Sequence, residues 1–186
     1  MCIRDRHLFA TKQPDLNWEN PKLRHSVYDI MNWWADMGID GFRMDVINLI
    51  SKPAKYQDGK LADGERYANV EPIVANGHRE NEFLQEMHQN VMAKHDLVTV
   101  GEAPGSSVKD AEQYANLNET ELNMVFQFEH VSLDGNPKAA FGKWDDRHVT
   151  LNEVRNSLSK WQTNLGGNAW NCLLYTSDAA DDGESV

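Results

Sequence analysis

Gly38-Ile39-Asp40-Gly41-Phe42-Arg43-Met44-Asp45-Val46 (38–46) closes one regular element and opens another. Upstream, Leu23, Val27, Ile30, Met31 and Trp34 recur at helical spacing. Asn20 is a suitable cap, Pro21 suits the first turn and Gly38 can end the run. The reading is a helix over 20–38. From Ile39 to Val46 the period changes to two: Phe42, Met44 and Val46 share one face, Arg43 and Asp45 the other. A helix therefore feeds a strand whose far end carries a carboxylate.

The same alternation continues down the chain. Residues 51–78 form a long polar stretch broken by Pro53, Gly59, Gly64, Pro72 and Gly77, a length typical of functional or disordered loops. A second helix is expected over 79–95, apolar at Phe83, Leu84, Met87 and Val91. Leu97 to Glu102 reads as a short buried strand that again ends in a carboxylate, and a short helix fits 109–116. Leu122 to Phe128 reads as a third strand, alternating Leu122, Met124, Phe126 and Phe128. A last helix starts at Thr150, where Glu153 completes a capping box. Its stripe is Leu151, Val154, Leu158, Trp161 and Leu165, and Gly166 ends it. Strands alternating with amphipathic helices indicate an α/β fold, a parallel sheet with helices outside it.

Composition narrows the function classes. The 186 residues carry 18 basic against 29 acidic side chains, a net charge of −11. That argues against a nucleic-acid or anionic-membrane surface and fits a neutral or cationic partner, and a sugar would be neutral. No run reaches the ~18 apolar residues of a membrane span. The two cysteines, Cys2 and Cys172, both lie near the ends. Residues 1–6 show no signal peptide, so a cytoplasmic location is expected. Residues 1–6 and the run from Cys172 to Asp182 resemble translated sequencing-adapter sequence, so 1–6 and 172–186 are expected to be a non-native leader and tail.

The chemistry is expected at the two strand ends. In α/β barrels functional groups gather at the carboxyl ends of strands. Asp45 and Glu102, at equal height on adjacent strands, would stand about 5–5.5 Å apart, the separation of a retaining glycosidase. Arg43 lies two residues before Asp45 and points to the same side, where a guanidinium keeps a carboxylate ionised. A buried ion pair that fills a barrel mouth is the plainer reading of the same residues.

Gly-Phe-Arg-Met-Asp-Val-Ile-Asn (41–48) resembles the nucleophile region of glycoside hydrolase family 13, the α-amylase family, and Thr-Val-Gly-Glu (99–102) its acid/base region. Gln-Pro-Asp-Leu-Asn (13–17) is similar to a short signature near the end of the family's inserted B domain, in the form used by oligo-1,6-glucosidases. Asn32-Trp33-Trp34, residues 83–87 and Phe126-Gln127-Phe128-Glu129-His130 extend the resemblance over about residues 7–171. It implies a fragment of a (β/α)8 TIM barrel, about the fourth to sixth strands with their flanking helices. Residues 7–19 would be the end of the B domain and the return to the barrel, and 20–171 part of the catalytic barrel. Asp45 would be the nucleophile, Glu102 the general acid and base, and Arg43 a contact to nucleophile and sugar. Val46 resembles the choice associated with α-1,6 linkages, where relatives preferring α-1,4 bonds carry Ala or Thr. Ala103 and Pro104 would border the leaving-sugar subsite. Phe128 and His130 lie where relatives have substrate-lining residues, although a core role for Phe128 and a structural one for His130 fit as well. Asp15 and Asn17 are expected to support the barrel mouth, and Trp33, Trp34 and Trp161 to sit in the core.

The resemblance implies a retaining, exo-acting α-glucosidase that cuts α-1,6 bonds in isomalto-oligosaccharides, with a small oligosaccharide as partner and no cofactor in this segment. An α-1,4-glucosidase, a trehalose-6-phosphate hydrolase, a sucrose isomerase and a non-catalytic relative stay open. The family's His-Asp pair, with its third carboxylate, is not in this sequence; its calcium loop belongs to an N-terminal part not present here, where calcium is possible, so no metal is assigned to this segment. The chain by itself is expected to be inactive. Its oligomeric state is left open.

Overall fold

The computed structural model describes residues 5–55, 57–61, 63–64, 66–135, 147–170 and 172. Of the expected leader 1–6 and the expected tail 172–186, residues 1–4 and 173–186 lie outside the described residues. Residues 5–20 contain no helix or strand. Helix α1 (Pro21–Asp36) follows, then β1 (Gly41–Met44), a 3₁₀ turn (Ile47–Leu49), α2 (Glu71–Val74), α3 (Glu80–Asn90) and a 3₁₀ turn (Met92–Lys94). Next come β2 (Val98–Glu102), α4 (Val108–Tyr114), β3 (Met124–Phe126), a 3₁₀ turn (His130–Ser132) and α5 (Leu151–Leu165).

The helix ends follow local chemistry. Asn20 Oδ1 accepts from the Lys22 amide at 3.0 Å and Pro21 stands in the first turn of α1. Gly38 leaves α1 with φ +92°, a left-handed step at low cost for glycine. Ser107 with Asp110 starts α4, and Thr150 with Glu153 starts α5; both pairs are full capping boxes.

The three strands lie in the order β1-β2-β3, all parallel. Met44, Gly101 and Val125 form one row across the sheet, and Met44 and Val125 pack into the core on its helix side. Gly101 lets that layer close: a Cβ there would stand 2.6 Å from Leu122 Cδ1 and 2.9 Å from Ile47 Cγ2. By alternation, Arg43 with Val100 and Glu102 with Phe126 face away from the helices. Thr99 stitches β2 to the approach of β3, because its backbone N–H and its hydroxyl both donate to Asn123 Oδ1 at 2.8 Å.

Several sequence expectations need correction. The first strand ends at Met44, so Asp45 and Val46 stand in the turn beyond it, and Val46 shares no pleat face with Met44. The third strand is only Met124–Phe126. Helix α1 buries Arg24, Tyr28 and Met31, while Ile30, Trp33 and Trp34 are exposed. Trp33 and Trp34 pack edge-on against each other, 4.7 Å between centroids. The reason is Arg24, whose Nε donates to Glu86 of α3 and whose Nη1 donates to the Trp18 carbonyl, both at 2.7 Å. Those partners turn the row of 24, 28 and 31 inward and leave its apolar neighbours outside. On α5, Trp161 and Leu165 are buried as expected, but Leu151 is exposed and Ser157 is buried.

Helix α3 carries all its expected apolar residues into the core and also buries Glu80. Glu80 Oε2 accepts from the Ser51 amide at 3.2 Å, and Oε1 has no partner among the described residues. Burial pushes its carboxyl up to about 8, against the Ser51 hydrogen bond and the Lys52 charge that lower it. A raised folded value means that the folded state holds the extra proton, so this contribution is complete below the unfolded value of 4.5 and is lost as pH rises toward 8. Glu121, pushed by burial to about 7, acts in the same direction. Glu80→Gln is therefore expected to flatten the decline in stability between pH 5 and 8, by up to about 1.4 kcal/mol per pH unit. Urea unfolding at a series of pH values measures it.

Candidate active site

The two carboxylates meet at the carboxyl end of the sheet. Register pairs Met44 with Gly101, so Asp45 leaves β1 at the height where Glu102 ends β2. Arg43 Nη1 donates to Asp45 Oδ1, and Arg43 Nη2 donates to Glu102 Oε2. One guanidinium thus holds both acids. The ring of Phe126 lies beneath this cation, 5.5 Å from the guanidinium carbon. Phe128 is half-buried and meets Phe126 edge-on at 5.7 Å.

The two acids respond oppositely to this environment. Asp45 is exposed, and the Arg43 hydrogen bond holds its carboxyl below the usual value. Glu102 is 7% exposed, and burial raises its carboxyl. The Arg43 charge works against that rise, Asp45 adds to it, and the Val46 amide, donating to Glu102, lowers it. Val46 has φ +39°, a left-handed conformation that a β-branched residue rarely adopts. A backbone outlier beside two paired acids is a feature of functional sites.

The other expected site residues surround this centre in different ways. Ala103 is fully buried, and its amide donates to the Phe126 carbonyl at 2.9 Å. Pro104 is half-buried, and its carbonyl accepts from Asn48 Nδ2 at 2.8 Å. His130 starts the 3₁₀ turn after β3, with Nδ1 3.4 Å from Gln127 Nε2. Asp15 pairs with Lys52 at 3.2 Å, tying the 5–20 segment to the loop after β1, and Asn17 Oδ1 accepts from the Glu19 amide at 3.2 Å. Among the described residues no group of three or more His, Cys, Asp or Glu side chains is arranged to hold a metal ion. No described helix is long and apolar enough to cross a membrane.

Three further residues organise the site. Glu129 accepts from Ser157 Oγ at 3.2 Å, Lys160 Nζ at 2.8 Å and Trp161 Nε1 at 2.9 Å, anchoring the loop after β3 on α5. Asn48 and Asn76 join the loops after β1 and β2. Glu129 lies inside a quoted motif, whereas isolated asparagines carry no pattern that a sequence reading would pick out.

A family model described as the catalytic domain of alpha amylase matches residues 6–180. The chain belongs to the α-amylase family of glycoside hydrolases. Over 171 residues this α-amylase-family chain is 51% identical to an oligo-1,6-glucosidase from Parageobacillus thermoglucosidasius, a match covering 92% of this chain and 30% of that protein. The crystal structure of a trehalose-6-phosphate hydrolase from Bacillus licheniformis superposes with a TM-score of 0.76 at 39% identity, covering 89% of this chain and 28% of that one. The crystal structure of an isomaltulose synthase from Klebsiella sp. LX3 gives a TM-score of 0.79 at 31% identity, covering 89% and 29%. The chain spans about 30% of the length of the curated relatives it matches. Its three parallel strands are thus part of a (β/α)8 barrel, with Asp45 and Glu102 at the face where such barrels place their chemistry.

Because Arg43 lowers both carboxyls, its loss acts on both in one direction. Arg43→Gln is expected to move the titrations of Asp45 and Glu102 upward together. Side-chain carboxyl ¹³C chemical shifts followed against pH would show it.

Proposed function

We propose that this segment carries the nucleophile and the acid/base of a retaining, exo-acting α-glucosidase that hydrolyses α-1,6 bonds of isomalto-oligosaccharides. The observation that carries the reading is the single Arg43 guanidinium joining Asp45 and Glu102. Both acids sit on one guanidinium at the ends of adjacent strands, which favours the closer spacing of a retaining enzyme over the about 6.5–9.5 Å that an inverting enzyme needs to seat a water. Asp45, held ionised, attacks the anomeric carbon. Glu102, whose burial keeps its proton to higher pH, protonates the glycosidic oxygen as that bond breaks. The leaving sugar departs and a covalent glucosyl-Asp45 ester remains. Glu102, now ionised, takes a proton from water, the water oxygen bonds to the anomeric carbon, and the Asp45 ester bond breaks. Glucose leaves with its configuration retained. Arg43 offsets the negative charge that returns to Asp45.

The α-1,6 preference rests on Val46 and on the similarity to an oligo-1,6-glucosidase. The similarity to a trehalose-6-phosphate hydrolase supports a second reading, with a phosphorylated disaccharide as substrate. A sucrose isomerase is disfavoured, because Val131-Ser132-Leu133-Asp134 lacks the arginine-rich loop of those enzymes.

The test is a chimera: the full-length Parageobacillus oligo-1,6-glucosidase with residues 7–170 of this chain in place of its matching segment. It is expected to hydrolyse isomaltose and, from p-nitrophenyl α-glucoside, to release α-glucose first, read by ¹H NMR. Asp45→Asn should lower kcat on the order of 10³-fold or more, and Glu102→Gln by about 10²–10⁴-fold. First release of β-glucose from the p-nitrophenyl substrate, or activity that survives Asp45→Asn, overturns the reading. Faster turnover of trehalose 6-phosphate than of isomaltose selects the second reading. The 186-residue chain alone, with part of a barrel, is expected to release no glucose.

Residue 46 has its own test. In the same chimera, Val46→Thr should lower the isomaltose-to-maltose ratio of kcat/KM by about tenfold, the discrimination a single small group provides.

A further inference from the structure

Asn48 lies three residues beyond Asp45, in the 3₁₀ turn Ile47–Leu49, and is fully buried. Its Nδ2 donates to the Pro104 carbonyl at 2.8 Å and to Asn76 Oδ1 at 3.0 Å, and lies 3.2 Å from Ser106 Oγ. Pro104 and Ser106 belong to the loop that leaves Glu102. The Pro104 carbonyl only accepts, so the amide orientation follows from chemistry: nitrogen faces this loop. Asn76 forms the other half of the clasp. Its backbone N–H donates to the Asn48 carbonyl at 2.8 Å, and its Oδ1 also accepts from Ser106 Oγ at 2.9 Å and Tyr114 OH at 3.1 Å. Asn76 holds φ +52°, which asparagine tolerates better than most residues. Asn48 Oδ1 has no partner among the described residues. A buried unsatisfied acceptor costs stability, so this amide is a poor choice for stability alone. What it supplies is a cross-link between the Asp45 turn and the Glu102 loop.

We propose that Asn48 is a positioning residue that sets the spacing of Asp45 and Glu102 by tying the loop after β1 to the loop after β2, with Asn76 as its anchor. The proposal rests on the glycosidase reading above. Without the cross-link the Glu102 loop swings outward, and a misplacement near 1 Å costs up to about 10²-fold in rate. Glu102 also becomes more exposed, and because burial is the main cause of its raised value, its titration falls.

The experiment uses the same chimera with Asn48→Ala and Asn76→Gly. The second variant keeps the left-handed backbone and removes only the side-chain anchor, so folding is retained. In Asn48→Ala, kcat per folded molecule on isomaltose should fall by about 10–10²-fold, with KM changed much less. The alkaline limb of its pH–kcat/KM profile should move to lower pH. Asn76→Gly should give a smaller effect of the same kind, because the bond from Asn48 to Pro104 survives. If either variant lowers only the melting midpoint, leaving kcat per folded molecule and both pH limbs in place, Asn48 serves stability alone and the proposal is overturned. A folded parent chimera without activity, or with activity that survives Asp45→Asn, rejects the glycosidase reading itself, and the proposal falls with it.

Discussion

One guanidinium between two carboxylates governs the site. Asp45 and Glu102 repel when both are charged, and adjacent parallel strands bring them to the same height. Arg43 makes that juxtaposition tolerable by donating to both. The same contact divides the pair. The acid in water takes the full benefit of the cation and stays ionised, whereas the acid within the protein pays for desolvation and keeps its proton longer. Two chemically similar groups thereby acquire different roles from position alone. The Phe126 ring lies beneath the cation, 5.5 Å from the guanidinium carbon.

The rest of the described structure holds this arrangement in register. Parallel pairing fixes the heights, the Gly101 row lets the helix layer approach, and Thr99 locks the third strand alongside the second through Asn123. Polar side chains then secure each loop at the carboxyl end: Asn48 and Asn76 after β1, Ser106 after β2, and Glu129 after β3. Loops of a barrel must vary to serve different chemistries, so rigidity there comes from specific hydrogen bonds and not from the general core.

The alternation of helices and strands was legible because periods of 3.6 and 2 survive in the sequence, and the caps at Asn20 and Thr150 act locally, whereas the Ser107 cap of α4 was not read. Asp45 and Glu102 stood out because each ends an apolar strand. What escaped was non-local. Hydrophobic spacing placed Trp33 and Trp34 inside, but the buried bonds of Arg24 to Glu86 and Trp18 rotated the helix the other way. Nothing near Asn48 in the chain announces a partner 56 residues away. Nor does a strand pattern show where pleating stops, so the departure of Asp45 and Val46 from β1 became visible only in three dimensions.

The left-handed turn at Val46 bears on how this position can drift over generations. Its backbone conformation favours glycine or asparagine, and a β-branched side chain is among the least comfortable occupants. Random substitution, filtered by folding alone, would carry the position toward those residues. A valine there is held against the preference of its own backbone, so Val46→Gly is a change that the turn itself welcomes and that only the surroundings of the side chain can resist.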